Sequence, residues 1–259
     1  LQQDRVIIVC DRYSAYKKLA RLSTRIWLAF CWAHVRRDFL NAACSFSVLA
    51  PWAQAWTQQI GQIYHLNQLR LKHWEAALPI DQQSVAFHSH QADLEARLET
   101  MHEDAQQVVS RVKEDNRQAG RKKTSLAGVK SSAEKQQVKV YRSLLDHWEG
   151  LTLFLQNPQV PLDNNPAEGA IRNPVTGRND YYGSGSIWSA ELAAILFSIL
   201  QTLDLWNINP RRWLTEFLNA CAENGGQPPE VIDPYIPWMM DEDRRQALTR
   251  PMTPKAKSP

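Results

Sequence analysis

The chain has 259 residues, 44% of them hydrophobic, with 30 Lys and Arg against 27 Asp and Glu for a net charge of +3. That is ample for a sizeable core and reads as a soluble, globular chain; the mild positive charge permits a nucleic-acid partner without arguing strongly for one. The longest apolar run, Leu192 to Leu200, is interrupted by Ser198 and falls well short of the roughly 20 residues that a membrane span needs. The opening Leu1-Gln2-Gln3-Asp4-Arg5 also lacks the basic start and apolar segment of a signal peptide, so a cytoplasmic protein with no membrane partner is expected. Cys10, Cys31, Cys44 and Cys221 are scattered without a CxxC pair, which argues against a disulfide framework or a cysteine zinc site. Cys31 and His34 stand three apart, but two ligands do not make a structural zinc site.

Val6 to Cys10 is a short β-branched apolar run that predicts a buried strand, ended by Asp11-Arg12-Tyr13. Asp11 therefore falls at the carboxyl end of a strand, the edge where ligands collect in open α/β sheets. It can equally cap a helix predicted over Ser14 to Leu22. Arg25 to Trp32 can form a second strand, and from Ala33 the pattern turns helical through Arg36, Arg37 and Phe39.

From about Ala42 to Leu155 apolar residues recur at spacings of three and four. Ile60, Ile63, Tyr64, Leu66, Leu69 and Leu71 could line one helix, and Leu94, Leu98, Met101, Ala105, Val108 and Val112 another. Gly120 to Ser132 breaks the second pattern and predicts an exposed basic loop. Between Arg111 and Lys139 the chain carries nine basic residues against three acidic ones, which suits either a solvated surface or contact with phosphate. Val138, Tyr141, Leu144, Leu145, Trp148 and Leu151 then resume a helix that ends near Asn157-Pro158.

Leu162 to Arg172 is the most informative stretch. Asn165 can serve as N-cap, Pro166 suits the first helical position and Glu168 falls at the third, a capping-box arrangement with Asn in place of Ser or Thr. Glu168 either closes a helix end or carries chemistry. Arg172 to Ser186 reads as turn-rich from Pro174 and its glycines, with Arg172 and Arg178 adding positive charge. Ala190 to Trp206 predicts a strongly apolar core helix. Asn207 to Pro210 breaks it, Pro210 opens a short helix through Phe217 and Leu218, and the tail from Thr253 to Pro259 is expected to be disordered. If Asp11 and Glu168 meet in the fold, their carboxylates could hold two Mg²⁺ ions for phosphoryl transfer.

Four segments carry a family resemblance: Asp11 to Tyr16; Cys31-Trp32-Ala33-His34-Val35-Arg36-Arg37-Asp38-Phe39; Leu162 through Glu168, extended to Arg172 and Gly177-Arg178; and Gly185-Ser186 with the helix behind it. In these the sequence is similar to the insertion-sequence-sixty-six (IS66) family of bacterial DDE transposases. The resemblance implies an α/β, mostly helical fold: a truncated ribonuclease-H-like core with a large helical insertion before the last acid. Its parts would be the late core strands at 1–41, the insertion with its basic loop at 42–157, returning core helices with the last acid at 158–206, and a carboxyl-terminal helix and disordered tail at 207–259.

By the same resemblance Asp11 is the second acid of the triad and Glu168 the third, together binding Mg²⁺ or Mn²⁺. His34, Arg36 and Arg37 face DNA or brace the site, unless they are simply a strand end and a basic helix packed beneath it. Arg121, Lys122, Lys123, Arg172 and Arg178 complete the expected DNA contacts. Asp163 is less favoured as a ligand, because Asp there also makes an ordinary turn.

The chain departs from the family in several places. The first catalytic Asp belongs on an earlier strand, yet Asp4 is the only acid before Asp11; Leu1 stands in place of Met, and the family's amino-terminal recognition domains are missing. Gly169 stands where Arg is usual, and Asn179-Asp180 where Lys-Asn is common. The expectation is a carboxyl-terminal fragment of a transposase, ancestrally cleaving and joining DNA, binding metal weakly and inactive unless the missing acid is supplied. Its partners would be transposon-end DNA and other transposase chains or element-encoded accessory proteins. The alternative is a helical DNA-binding or oligomerising module without chemistry.

Overall fold

The computed structural model describes residues 5–180 and 183–249. It is mostly helical, with one small parallel sheet. Strand β1 (Val6–Cys10) leads through helix α1 (Ser14–Leu22) to β2 (Ile26–Phe30), pairing in register from Val6 with Ile26 to Cys10 with Phe30. The predicted second strand is thus trimmed at both ends, and helix α2 (Trp32–Ser45) begins one residue before Ala33. Trp32 explains the early start: it is fully buried, its indole N–H donates to Leu151 O at 2.8 Å, and its backbone N–H donates to Leu162 O at 2.9 Å.

Helices α3 (Ala50–Leu71), α4 (Val85–Gln118) and α5 (Ser132–Asp146) build most of the first core. Phe39 from α2 stacks on Trp56 and tilts against Trp52, and the Trp52 indole donates to the Tyr141 hydroxyl at 2.7 Å. The α4 face follows the predicted spacing, except that Val109 rather than Val108 is the buried valine. On α3 the buried face runs Ala53, Trp56, Ile60, Ile63, Asn67 and Arg70. Apolar spacing alone selects Leu66, Leu69 and Leu71 instead, because it passes over the polar residues that the core takes in.

Arg70 is wholly buried. It donates to Asn67 Oδ1 at 2.7 Å and to the carbonyls of Phe154 and Leu155 at 3.1 and 3.3 Å. Desolvation lowers its pKa to about 10, opposed by the charge of Glu95. Helix α6 (Trp148–Thr152) lies directly against β2: a Cβ added to Gly150 would meet Phe30 Cδ2 at 2.5 Å and Leu28 O at 2.6 Å.

The chain divides into two compact units, 1–166 and 167–259. Helix α7 (Asn165–Asp180) crosses the boundary and carries two corrections. It already includes Asn165, one residue earlier than an Asn165 N-cap allows, and it continues through Pro174 and Gly177 where turns were expected. An interior proline removes one backbone hydrogen bond and costs about 3 kcal/mol. Pro174 and Val175 line an open groove with Ala190, Ala193 and Phe197, and Val175 stays 53% exposed there.

The second unit also contains α8 (Ile187–Leu205), α9 (Pro210–Glu223) and α10 (Glu242–Leu248). Asn209 caps α9 through its side chain, as the predicted helix break required. The core here is Leu203, Ile208, Trp213, Met240 and Leu248.

The expectation that α8 is a core helix fails for most of its length. Only Leu203 is buried, while Ile187 is 81% and Ile195 58% exposed. Among the described residues α8 is also the one helix long and apolar enough to cross a membrane, by length and composition alone. The run from Leu192 to Leu200 understates it, because Ile187, Trp188, Leu203 and Leu205 add apolar side chains on either side. The expected disordered tail lies outside the described residues.

Candidate functional site

Parallel pairing puts the carboxyl ends of β1 and β2 at one edge, and the Cys31 N–H donates to Cys10 O at 3.0 Å to hold them there. Asp11 follows β1 at this edge, half-buried. Its Oδ1 accepts the Tyr13 N–H at 2.9 Å, forming a turn. It does not act as the cap of α1, whose N-cap is Tyr13 without a side-chain bond.

The next residue is anchored on two sides. Arg12 pairs with Asp38 on α2 at 2.6 Å and donates to Ser143 Oγ on α5 at 2.8 Å. A turn further on, Lys17 Nζ meets His147 Nε2 at 2.6 Å, and His147 Nδ1 meets Ser143 O at 2.6 Å. An ammonium can only donate, so Nε2 accepts and Nδ1 carries the proton given to the carbonyl. Burial, followed by the charges of Lys17 and Arg12, holds the His147 pKa below its ordinary value, against the bond to Ser143 O.

The Leu162–Asn165 stretch reaches the same edge through the Trp32 N–H to Leu162 O bond. Asp163 uses both oxygens: Oδ2 accepts the Tyr64 hydroxyl at 3.0 Å and Oδ1 the Asn165 N–H at 3.0 Å. Burial and the Asp163 carboxylate push the Tyr64 pKa far up, with Arg36 opposing, so the phenol stays protonated and keeps donating. Burial, then the Asp11 charge, raises the Cys10 thiol to about 11. Cys10 is therefore a packed thiol rather than a thiolate ligand.

Arg36 and Arg37 are exposed on the first turns of α2, with His34 half-buried beside them. Arg121, Lys122 and Lys123 lie on the connection between α4 and α5. Glu168, Arg172 and Arg178 all stand on α7 in the second unit. Arg172 is one turn beyond Glu168 on the same side, whereas Arg178 lines the groove facing α8. Among the described residues no three His, Cys, Asp or Glu side chains gather as a metal site. A cleft of about 480 Å³ beside β2, lined by Trp27, His147 and Glu149 among others, contains none of the predicted site residues.

Sequence reasoning missed Arg12, Tyr64, Ser143 and His147 as supports of this edge. No local pattern could have found them, since the contacts Arg12–Ser143, Lys17–His147 and Tyr64–Asp163 join residues 99 to 131 positions apart.

The chain is 25% identical over 240 residues to the uncharacterized protein y4hP of Sinorhizobium fredii, covering 90% of this chain. It is 27% identical over 248 residues to the uncharacterized protein y4qI of the same organism, covering 92%. In each case the match spans 39% of the relative's own length. No solved structure matches the chain. The model of the IS66 transposase family matches residues 1–192, taking in Asp11, the Cys31–Phe39 segment and Glu168; the chain belongs to that family.

Proposed function

We propose that this chain contributes part of a metal-dependent DNA strand-transfer centre, with Asp11 and Glu168 as two of its acids, on a ribonuclease-H-like core. The observation that carries this reading is the position of Asp11. It sits at the carboxyl end of a parallel strand, in a turn pinned by Arg12 to α2 and α5, inside the segment matched by the family. A carboxylate held this firmly suits a site that must keep its geometry through a reaction.

In this reading Asp11 presents Oδ2, since Oδ1 is bound to the Tyr13 N–H. Glu168 offers its carboxylate from the first turn of α7. Mg²⁺ or Mn²⁺ would supply Lewis-acid activation of phosphoryl transfer, and such ions are commonly held by one or two carboxylates together with substrate phosphates. His34, Arg36, Arg37, Arg172 and Arg178 would meet the phosphates of transposon-end DNA. Other transposase chains or element-encoded accessory proteins would be its protein partners.

A second reading, a non-catalytic module that binds DNA or self-associates, is favoured by the exposed apolar side of α8. Manganese titration followed by electron paramagnetic resonance separates the two. Asp11→Ala and Glu168→Ala should each weaken Mn²⁺ binding at unchanged helical content. Equal binding by both variants and the parent would sink the assignment of these acids and leave the module reading, which predicts a mass in solution that rises with concentration.

A further inference from the structure

The basic connection between α4 and α5 is more ordered than a charge run requires. Helix α4 closes on Gly120 at φ +63, with Gly120 N–H bonded to Arg117 O at 3.2 Å and Arg121 N–H to Asn116 O at 2.8 Å. That is a Schellman closure, which needs a left-handed residue at its turn. Asn116 does more. It is 1% exposed, and its amide Nδ2 reaches back to donate to Ser125 O at 2.8 Å, with Lys123 O at 3.5 Å.

From the other side Arg142 on α5 donates to Thr124 O at 2.7 Å, and Ser125 N–H closes a turn onto Lys122 O at 2.8 Å. The Arg121 guanidinium lies over Gly128, where an added Cβ would fall 2.5 Å from its Nη1. A capping box of Ser131 and Glu134 then opens α5.

Charges around this turn divide into engaged and available groups. Arg117 is paired with Glu114 at 2.6 Å, and Arg142 is spent on carbonyls. Lys122, Lys123 and Lys130 are exposed. A backbone held from both sides removes the cost of ordering the loop, so that only the side-chain freedom of the two lysines is lost when their ammonium groups meet the fixed anions of a phosphate chain.

We propose that residues 119–131 form a preformed site for the phosphate backbone of duplex DNA, contacted by Lys122 and Lys123 and positioned by Asn116. Lysine point charges without a planar reading group recognise phosphate rather than base edges, so the site is independent of sequence. The inference rests on the DNA-binding part of the function proposed above and needs neither acid.

The test uses the full chain in EDTA, where the acids can hold no metal, with fluorescence anisotropy of a labelled random-sequence duplex across a salt series. Lys122→Gln with Lys123→Gln should weaken binding about tenfold and lower the slope of log K against log salt by about two, close to 0.9 for each phosphate no longer neutralised. Asn116→Ala leaves the charge unchanged. It should weaken binding severalfold and speed trypsin cleavage after Lys122 and Lys123, with helical content retained.

The double-mutant cycle supplies the reading that general destabilisation would not imitate: once both lysines are gone, Asn116→Ala should change affinity no further. Unaltered affinity and slope in the lysine variant would overturn the proposal, as would a full Asn116→Ala effect in that background. A parent chain that binds Mn²⁺ through Asp11 and Glu168 but no duplex would overturn this inference alone. Lysine-dependent duplex binding without any Mn²⁺ site would overturn only the assignment of the acids.

Discussion

At the residue scale, His147 joins α5 to the helix that follows Asp11, and it does so only as the neutral ring. Protonation would place a second cation against Lys17 Nζ, 2.6 Å from Nε2, with Arg12 also nearby. Because the folded pKa is lowered, the unfolded chain takes up the proton first. The contribution to stability is therefore fully present above the ordinary histidine value of 6.5 and is lost as pH falls through the lower folded value. Urea midpoints between pH 8 and pH 5 should fall more steeply for the parent chain than for His147→Gln. Parallel curves would show that His147 is not the group responsible.

The same scale explains which placements can be read from the sequence. That of Asp11 at a strand end can, because a β-branched run and its end are local features. Those of Tyr64 and Arg12 cannot: the partners that give them a role come from remote elements. The turn expected at Asp163 is present, and a second bond to Tyr64 strengthens that role.

At the scale of elements, β1, α1 and β2 are legible because hydrophobic period and strand ends agree there, and so is the α4 face. Legibility fails at Pro174 and Gly177, where α7 runs on through residues of poor helix propensity, and where a buried polar residue interrupts an apolar stripe, as at Asn67 and Arg70 on α3. Gly150 is an element-scale constraint of another kind. The clash awaiting a methyl group there is with a backbone oxygen of β2, which cannot swing aside as a side chain can. Gly150→Ala should push α6 away from β2 and cost about 1–3 kcal/mol. Gly169→Ala is the control: on α7 an added Cβ meets nothing within 4 Å, and removing a helical glycine there should stabilise by roughly 0.5–1 kcal/mol. Thermal unfolding of both variants checks the contrast, and equal shifts would refute the close-approach argument.

At the scale of the whole molecule, each unit has its own core, and the two differ greatly in size. The first draws on residues from Ala29 to Leu162, with stacked aromatics and the buried Arg70 network. The second rests on Leu203, Ile208, Trp213, Met240 and Leu248, with Trp213 stacked on Phe217 and bonded to Tyr235 O at 2.9 Å. Stability follows apolar burial less the cost of ordering the chain, so the smaller core should melt first. Calorimetry should resolve two transitions. Leu203→Ala, which removes a fully buried side chain, should lower the first by an amount equivalent to about 2–5 kcal/mol and leave the second in place. Phe39→Ala should act on the second, since Phe39 anchors the aromatic cluster of the larger core. A single transition lowered by both variants would mean that the units fold as one. The DNA measurements would then have to treat the basic turn of the first unit and Glu168 of the second as thermodynamically linked rather than separable sites.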